Sequence, residues 1–209
     1  MGPKERRQRE REDTRGAILD AARELFVSEG YDGVSMRRIA DRIEYSPTAI
    51  YFHFRDKETL IRELVDHDFR VLAEQFGSAA AIGDPIERLR ATGRAYCEFA
   101  LAYPNHYRLM FMTPHPAMDP DESALEHGNP EEDAYAFLKT IVSAAIAEGR
   151  FRDEYNDTEL TSQIVWSGVH GVVSLEIAKC KDAWVDWVPV RQRVEVMIDV
   201  LVAGLTRKE

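Results

Sequence analysis

The sequence is poor in the features that would make it secreted, metal-bound or membrane-spanning. Of its 209 residues only two are cysteine, Cys97 and Cys180. They are too few for a disulfide scaffold, and their isolation removes any CxxC metal or redox site. No uninterrupted apolar run approaches the roughly 18 residues that read as a membrane span. Met1 to Arg6 is basic but lacks the apolar stretch of a signal peptide. Gly2 follows Met1, yet Arg6 stands where a myristoylation signal wants Ser or Thr. A soluble, cytoplasmic protein with no membrane partner is the expectation. Catalytic signatures are missing too: the sequence holds no GxSxG, no P-loop and no GxGxxG. The histidines (His53, His67, His106, His115, His127, His170) form no HExxH, His-x-His or Cys-His set. No enzyme, no metal and no cofactor are therefore expected.

What is present is enough for a core. The chain is 44% apolar and 31% charged, with a net charge of −10. That charge is uneven. Residues 1–70 hold 14 Lys/Arg against 15 Asp/Glu, whereas residues 71–209 hold 13 against 22. An acidic body repels nucleic acid, but a small basic surface at one end can still bind it.

Apolar residues recur at helical spacing almost throughout, and no strand pair is convincing. Ile18, Ala22, Leu25 and Phe26 share one face, and Gly30 is a natural left-handed stop. Ser35 caps a short helix with Ile39 and Ala40 inward. At the next start Ser46 caps and Pro47 takes the first position, where a missing N–H costs nothing. A longer helix runs from Asp56 to about Phe76. Gly77 to Asp84 is a weak junction. Helices follow from Pro85 to Tyr103 and after Pro104. Residues 113–133, with four prolines, seven acidic residues and no Lys or Arg, read as a long acidic loop. Three more helices lie at about 134–149, 158–179 and 190–205. The reading is an all-α fold of about nine helices.

The segment Ser35 to Lys57 carries the most information. Two short helices meet at the tight turn Ile43-Glu44-Tyr45-Ser46, which makes a helix-turn-helix. Five basic residues (Arg37, Arg38, Arg42, Arg55, Lys57) face three acidic ones there, a local excess of +2. Such a unit lays its second helix in the major groove, while phosphate contacts supply most of the affinity. The candidate DNA-contacting residues are Ser35 and Arg37, then Ser46, Pro47, Thr48, Ala49, Tyr51, His53 and Lys57. Small residues at 46–49 let the backbone approach the bases, and the Ala49 methyl suits a thymine methyl. The Tyr51 hydroxyl suits phosphate or sugar; the alternative for Tyr51 is the core. His53 is either a phosphate ligand or a solvated surface residue. Lys57 adds its ammonium to the free N–H groups of a helix start, which attract phosphate. Phe54 is assigned to the core.

These residues resemble the tetracycline-repressor-like (TetR) regulators. The match runs through Ile18-Leu19, Ala22, Phe26, Gly30-Tyr31, Ser35, Ile39-Ala40, Ser46, Tyr51, His53-Phe54, Lys57-Glu58 and Leu60. The stretch from Ser46 to Phe54 followed by Lys57-Glu58 is its most specific part. The resemblance implies an N-terminal three-helix DNA-binding domain, a C-terminal effector-binding and dimerisation domain, and a homodimer. The expected division is residues 1–57, with a flexible basic arm over 1–13, and 58–209. One departure stands out: the family usually has Gly where this chain has Glu44, so that turn is either strained or different. The arm, with six basic and four acidic residues over Lys4–Arg15, either reaches a minor groove or is a solvated extension of the first helix.

In the body, Trp166, His170 and Gly171 resemble a WHG-type C-terminal domain found in some of these regulators. Ser167, Gly171, Ser174 and Ala178 make a flat small-residue face along one helix. The resemblance implies that the last two helices build a four-helix dimer interface. Its candidate residues are those four together with Val190, Val194, Met197 and Leu201. Val196 and Val200 add a further apolar stripe to the last helix. An effector pocket is expected inside the body, walled by Phe69, Tyr96, Phe99, Tyr103, Met110 and Phe111 from one side. Phe137, Ile141, Trp166 and His170 complete it. Each of these could equally be ordinary core. Cys97 is read as a small core residue rather than a reactive thiol. The functional expectation is a ligand-responsive repressor, dimeric, bound to a double-stranded operator and released by a small hydrophobic effector. The competing reading, a helical adaptor without DNA, would be favoured by an absence of salt-dependent DNA binding.

Overall fold

The computed structural model describes residues 2–117 and 119–207. Met1 of the expected arm and Met118 of the acidic loop lie outside them. Among the described residues there are ten α-helices: α1 Pro3–Gly33, α2 Met36–Arg42, α3 Pro47–His53, α4 Lys57–Gln75, α5 Gly77–Ala80, α6 Pro85–Ala102, α7 Pro104–Phe111, α8 Ala134–Ala147, α9 Thr158–Lys179 and α10 Val190–Leu205. The tenth is α5, a single turn within the stretch expected to be a junction. The extended contact Phe151–Thr206 is an isolated bridge, not a sheet. No helix is long and apolar enough to cross a membrane among the described residues.

The helix starts follow their caps. Ser35 accepts from the Arg38 N–H and Ser46 from the Ala49 N–H. Asp84, Asp133 and Asp157 do the same for α6, α8 and α9. Carboxylates suit this position because they meet both the orphan N–H groups and the positive end of the helix dipole.

The chain divides into two compact units, residues 1–68 with 105–124, and 69–104 with 125–209. In the first, Ile18, Ala22, Phe26, Ile39, Ala40, Ile50, Phe54 and Leu60 are buried, so α1, α2, α3 and the start of α4 share one core. Gly30 breaks α1 with φ 74°, a conformation only glycine adopts without cost. Polar groups are also buried here. Arg23 of α1 holds both carboxylate oxygens of Asp68 of α4 at 2.7 and 3.0 Å. His106 of α7 lies with Nδ1 3.0 Å from the same carboxylate. Asp66 accepts from the Ser123 hydroxyl at 2.9 Å and the Ala124 N–H at 2.8 Å, while Arg62 pairs with Glu122. The first part of the acidic segment is thus pinned to α4. In the second unit α6, α8, α9 and α10 bury Tyr96, Phe99, Ile141, Val142, Val169, Val173 and Ile198. Gly168 marks the tightest crossing: a Cβ there would stand 2.8 Å from Leu201 of α10.

The arm expected to be flexible over 1–13 is helical from Pro3 onward. Glu5 accepts the Gly2 N–H at 2.8 Å, and Gln8 reaches Glu12 one turn on. With these local pairs and no glycine between 3 and 15, α1 extends well before its first buried residue, Ile18.

Glu44 is the one non-glycine residue with positive φ among the described residues, at 58°. Of the two alternatives for this departure from Gly, the positive φ favours a strained turn. That strain costs roughly 1–2 kcal/mol, offset in part by the freedom a glycine would add to the unfolded chain. Glu44→Gly is expected to raise stability by about 0.5–1 kcal/mol, read as a higher urea midpoint. A lower midpoint would show that Glu44 is relaxed in this turn.

Candidate nucleic-acid interface

The outer face of α3 is built by subtraction. Ile50 and Phe54 are buried, which fixes the rotation of this two-turn helix. Ser46, Pro47 and Thr48 are left exposed and Ala49 half-buried. Tyr51 is 54% and Phe52 70% exposed. An exposed aromatic pair on a helix whose neighbours are small makes a surface fit for a groove. Phe52 is the residue that sequence reasoning missed. Its signal was its register, two after buried Ile50 and two before buried Phe54, which turns it outward. Ser35 is spent on its cap, and Arg37 stands exposed, 4.0 Å from Asp41.

His53 is half-buried, with a buried Nδ1. Burial, then the charges of Arg11 and Arg15, hold its pKa below the ordinary histidine value. It is therefore neutral at pH 7 and offers a phosphate no net charge.

Lys57 is placed differently from its expectation. Its ammonium donates to the carbonyls of Tyr31 and Val34 at 2.9 and 3.0 Å, and lies 4.0 Å over the Tyr31 ring. One N–H group of the first turn of α4 is also taken: Asp56 accepts from the Thr59 N–H at 2.7 Å. That bond, with the Thr59 side chain and Arg55, holds the Asp56 carboxyl at about 2. A carboxylate at this position competes with phosphate for the helix terminus. In this arrangement Lys57 fastens the α1–α2 connection to the first turn of α4. Lys57→Ala leaves two carbonyls without their donor and is expected to cost about 1–3 kcal/mol of stability, by chemical denaturation. The salt dependence of DNA binding is expected to keep its slope. A slope smaller by about one unit would return Lys57 to a phosphate.

The second unit holds a polar cluster. The Trp166 indole N–H donates to the Tyr96 hydroxyl at 3.1 Å, and that hydroxyl lies 2.8 Å from Nδ1 of His170. Burial lowers the His170 pKa, so the ring is neutral and can accept the hydroxyl proton. Phe99 and Tyr103 are ring neighbours at 5.6 Å, Phe137 stacks with Phe76 at 5.5 Å, and Ile141 is fully buried. Phe69 is half-buried in the same unit. On α7, Met110 is buried and Phe111 half-buried, and Phe111 is a ring neighbour of Tyr107 at 5.1 Å. The Cys97 thiol is buried and pushed up to about 12 by that burial, which keeps it protonated and unreactive.

The expected dimer residues separate into two sets. Ser167 and Ala178 are exposed, and the space a Cβ on Gly171 would occupy is open. Along the same stripe of α9 stand Leu160, Ile164 and Leu175, all exposed. Ser174, Val190, Met197 and Leu201 are half-buried. Val194 departs from its expectation: it is only 6% exposed in the single chain, where α10 packs against α6 and α9. The outward positions of α10 are Val196 and Val200, at 53% and 60%. The last helix has two apolar stripes, and the inner one is taken by α6 and α9.

Comparison with known proteins adds to this geometry. Residues 18–64 match the family described as bacterial regulatory proteins, tetR family, and residues 89–201 match a tetracyclin repressor-like C-terminal domain. The HTH-type transcriptional activator FasR of Mycolicibacterium smegmatis is 34% identical over 102 residues, 48% of this chain and 47% of FasR. The HTH-type transcriptional repressor AcnR of Corynebacterium diphtheriae is 40% identical over 60 residues, 29% of this chain and 32% of AcnR. The matched region thus spans less than half the length of either relative. In fold, the chain is similar to a TetR family transcription regulator from Marinobacter aquaeolei VT8, with a TM-score of 0.76 at 20% identity, covering 97% of this chain and all of that one.

Proposed function

The chain belongs to the TetR family of DNA-binding transcriptional regulators, which are not enzymes, and from that premise we propose that it is a homodimeric repressor that holds a pseudo-palindromic operator until a small hydrophobic effector releases it. The observation that carries the DNA half is the face of α3, with Thr48, Tyr51 and Phe52 outward over a buried Ile50 and Phe54. Base reading falls to Thr48, Ala49 and the exposed aromatics, with Ser46 and Pro47 allowing close approach. The sign of control is this reading's choice; among the relatives FasR is named an activator and AcnR a repressor.

The dimer half is supported by the open stripe of α9 with Val196 and Val200 of α10. A run of exposed apolar residues on two neighbouring helices is a surface for a partner. A second copy presenting the same stripe satisfies both at once. The effector half rests on Tyr96, Trp166 and His170, a hydrogen-bonded set among apolar walls, the usual make-up of a small-molecule site.

The test is capture of sheared genomic DNA from the source organism by the purified protein and by Thr48→Trp. The wild type is expected to enrich fragments sharing a two-fold symmetric site. The variant is expected to enrich none while sedimenting as the wild type does. Equal enrichment by both would place base reading elsewhere on the surface.

A further inference from the structure

The helix-turn-helix has little unspent positive charge. Arg38 is 2.5 Å from Glu29, Arg42 2.9 Å from Glu24, and Arg55 2.7 Å from Asp56. Arg37 faces Asp41, and Lys57 is held by two carbonyls. Phosphate neutralisation nevertheless supplies most of the affinity for a duplex. Cations without an acidic partner lie in another part of the first unit.

The extension of α1 supplies them. Every residue from 4 to 13 is exposed, so this stretch buries nothing within its own chain. At about 100° per residue, Lys4, Arg7, Arg11 and Arg15 fall on one face roughly 80° wide. Glu5, Glu10, Glu12 and Asp13 lie on the others. Arg6 is paired with Glu10 at 3.5 Å, whereas neither Lys4 nor Arg7 is in an ion pair among the described residues. The basic face is also the one turned to α3. The Arg11 guanidinium stands 5.3 Å over the exposed Phe52 ring, and Arg15 stands 5.1 Å over Phe54. Both arginines act on His53 through their charge. The row begins beside the exposed surface of α3 and runs away from it.

We propose that the α1 extension is a second DNA-contacting element, in which Lys4, Arg7 and Arg11 neutralise backbone phosphates that flank the bases read by α3. This rests on the DNA-binding reading above. Lys4 to Arg11 spans about 10 Å of helix, the rise of about three base pairs along the duplex axis. Charge complementarity and continuity with the α3 surface identify the occupant as duplex DNA. The stacking of Arg11 on Phe52 ties the extension to the recognition helix, so both elements meet the duplex in one register.

The experiment follows the binding of full-length protein to a fluorescent duplex of random sequence over a salt series. Each lost phosphate contact lowers the slope of log K against log salt by about 0.9. Lys4→Gln/Arg7→Gln is therefore expected to lower it by nearly two units, with thermal stability unchanged because both side chains are exposed. Arg6→Gln/Arg9→Gln removes the same charge from the opposite face and is expected to leave the slope as it was. An unchanged slope in the first double variant, or an equal loss in both, overturns the proposal. Salt-independent or absent binding by the wild type would instead overturn the DNA-binding reading itself.

Discussion

Asp68→Ala is expected to cost about 3–5 kcal/mol of folding stability, the range for removing one partner of a buried ion pair. Asp68 is 0% and Arg23 5% exposed. Burial alone would lower the Arg23 pKa, but the Asp68 and Asp20 carboxylates more than offset it, so the guanidinium stays charged. Without Asp68 it keeps Asp20 at 2.7 Å, whose own side chain is 77% exposed and screened by water. The loss falls on α1 and α4 together, because the pair spans them. Asp68→Asn keeps an acceptor and is expected to lie between alanine and wild type. Replacing both partners by leucine or methionine is expected to be far milder than Asp68→Ala, since no charge is then stranded. Urea titration of the three variants decides it. A cost below about 1 kcal/mol for Asp68→Ala would mean that the pair is solvated rather than buried.

Val196→Asp with Val200→Asp is the second large effect, directed at assembly instead of folding. Both side chains face solvent in the single chain, so the subunit is expected to stay folded, with its helical circular dichroism retained. In a two-fold dimer each substitution occurs twice. Even about 2 kcal/mol per desolvated carboxylate, over one such pair, weakens association roughly a thousandfold. Sedimentation is expected to show dimer for the wild type and monomer for the variant at micromolar concentration. The variant is also expected to lose cooperative binding to paired half-sites. Val194→Asp is a poor substitute, because that side chain is inside the subunit and its charge would unfold it. A variant that remains dimeric would move the interface off α9 and α10.

The sequence exposed the parts of the molecule that depend on neighbours in the chain. Helix periods and caps such as Ser35 and Ser46 are local, and the structure has helices at each. The strain at Glu44 was visible because one position in a tight turn requires positive φ. Contacts across the chain were hidden. Arg23 and Asp68 are 45 residues apart, and nothing in either residue's surroundings marks the other as its partner. Lys57 is held by backbone carbonyls, which have no sequence signature, so its position at a helix start suggested a phosphate instead. The α1 extension contains no apolar residue between 4 and 14. The hydrophobic period that reveals other helices is silent there, and its helicity rests on side-chain pairs. On α10, two apolar stripes left the inward and outward faces ambiguous until α6 and α9 covered the one bearing Val194.

In the proposed function, two copies of α3 held at a fixed separation bind duplex DNA sequence-specifically. Selection from a random duplex library with the full-length protein tests it most directly. The expected result is enrichment of a pseudo-palindrome whose half-sites lie about one helical turn, or a multiple of it, apart, with Thr48→Trp enriching nothing. A folded protein that returns the library unenriched, or selects a single unpaired half-site, would contradict it.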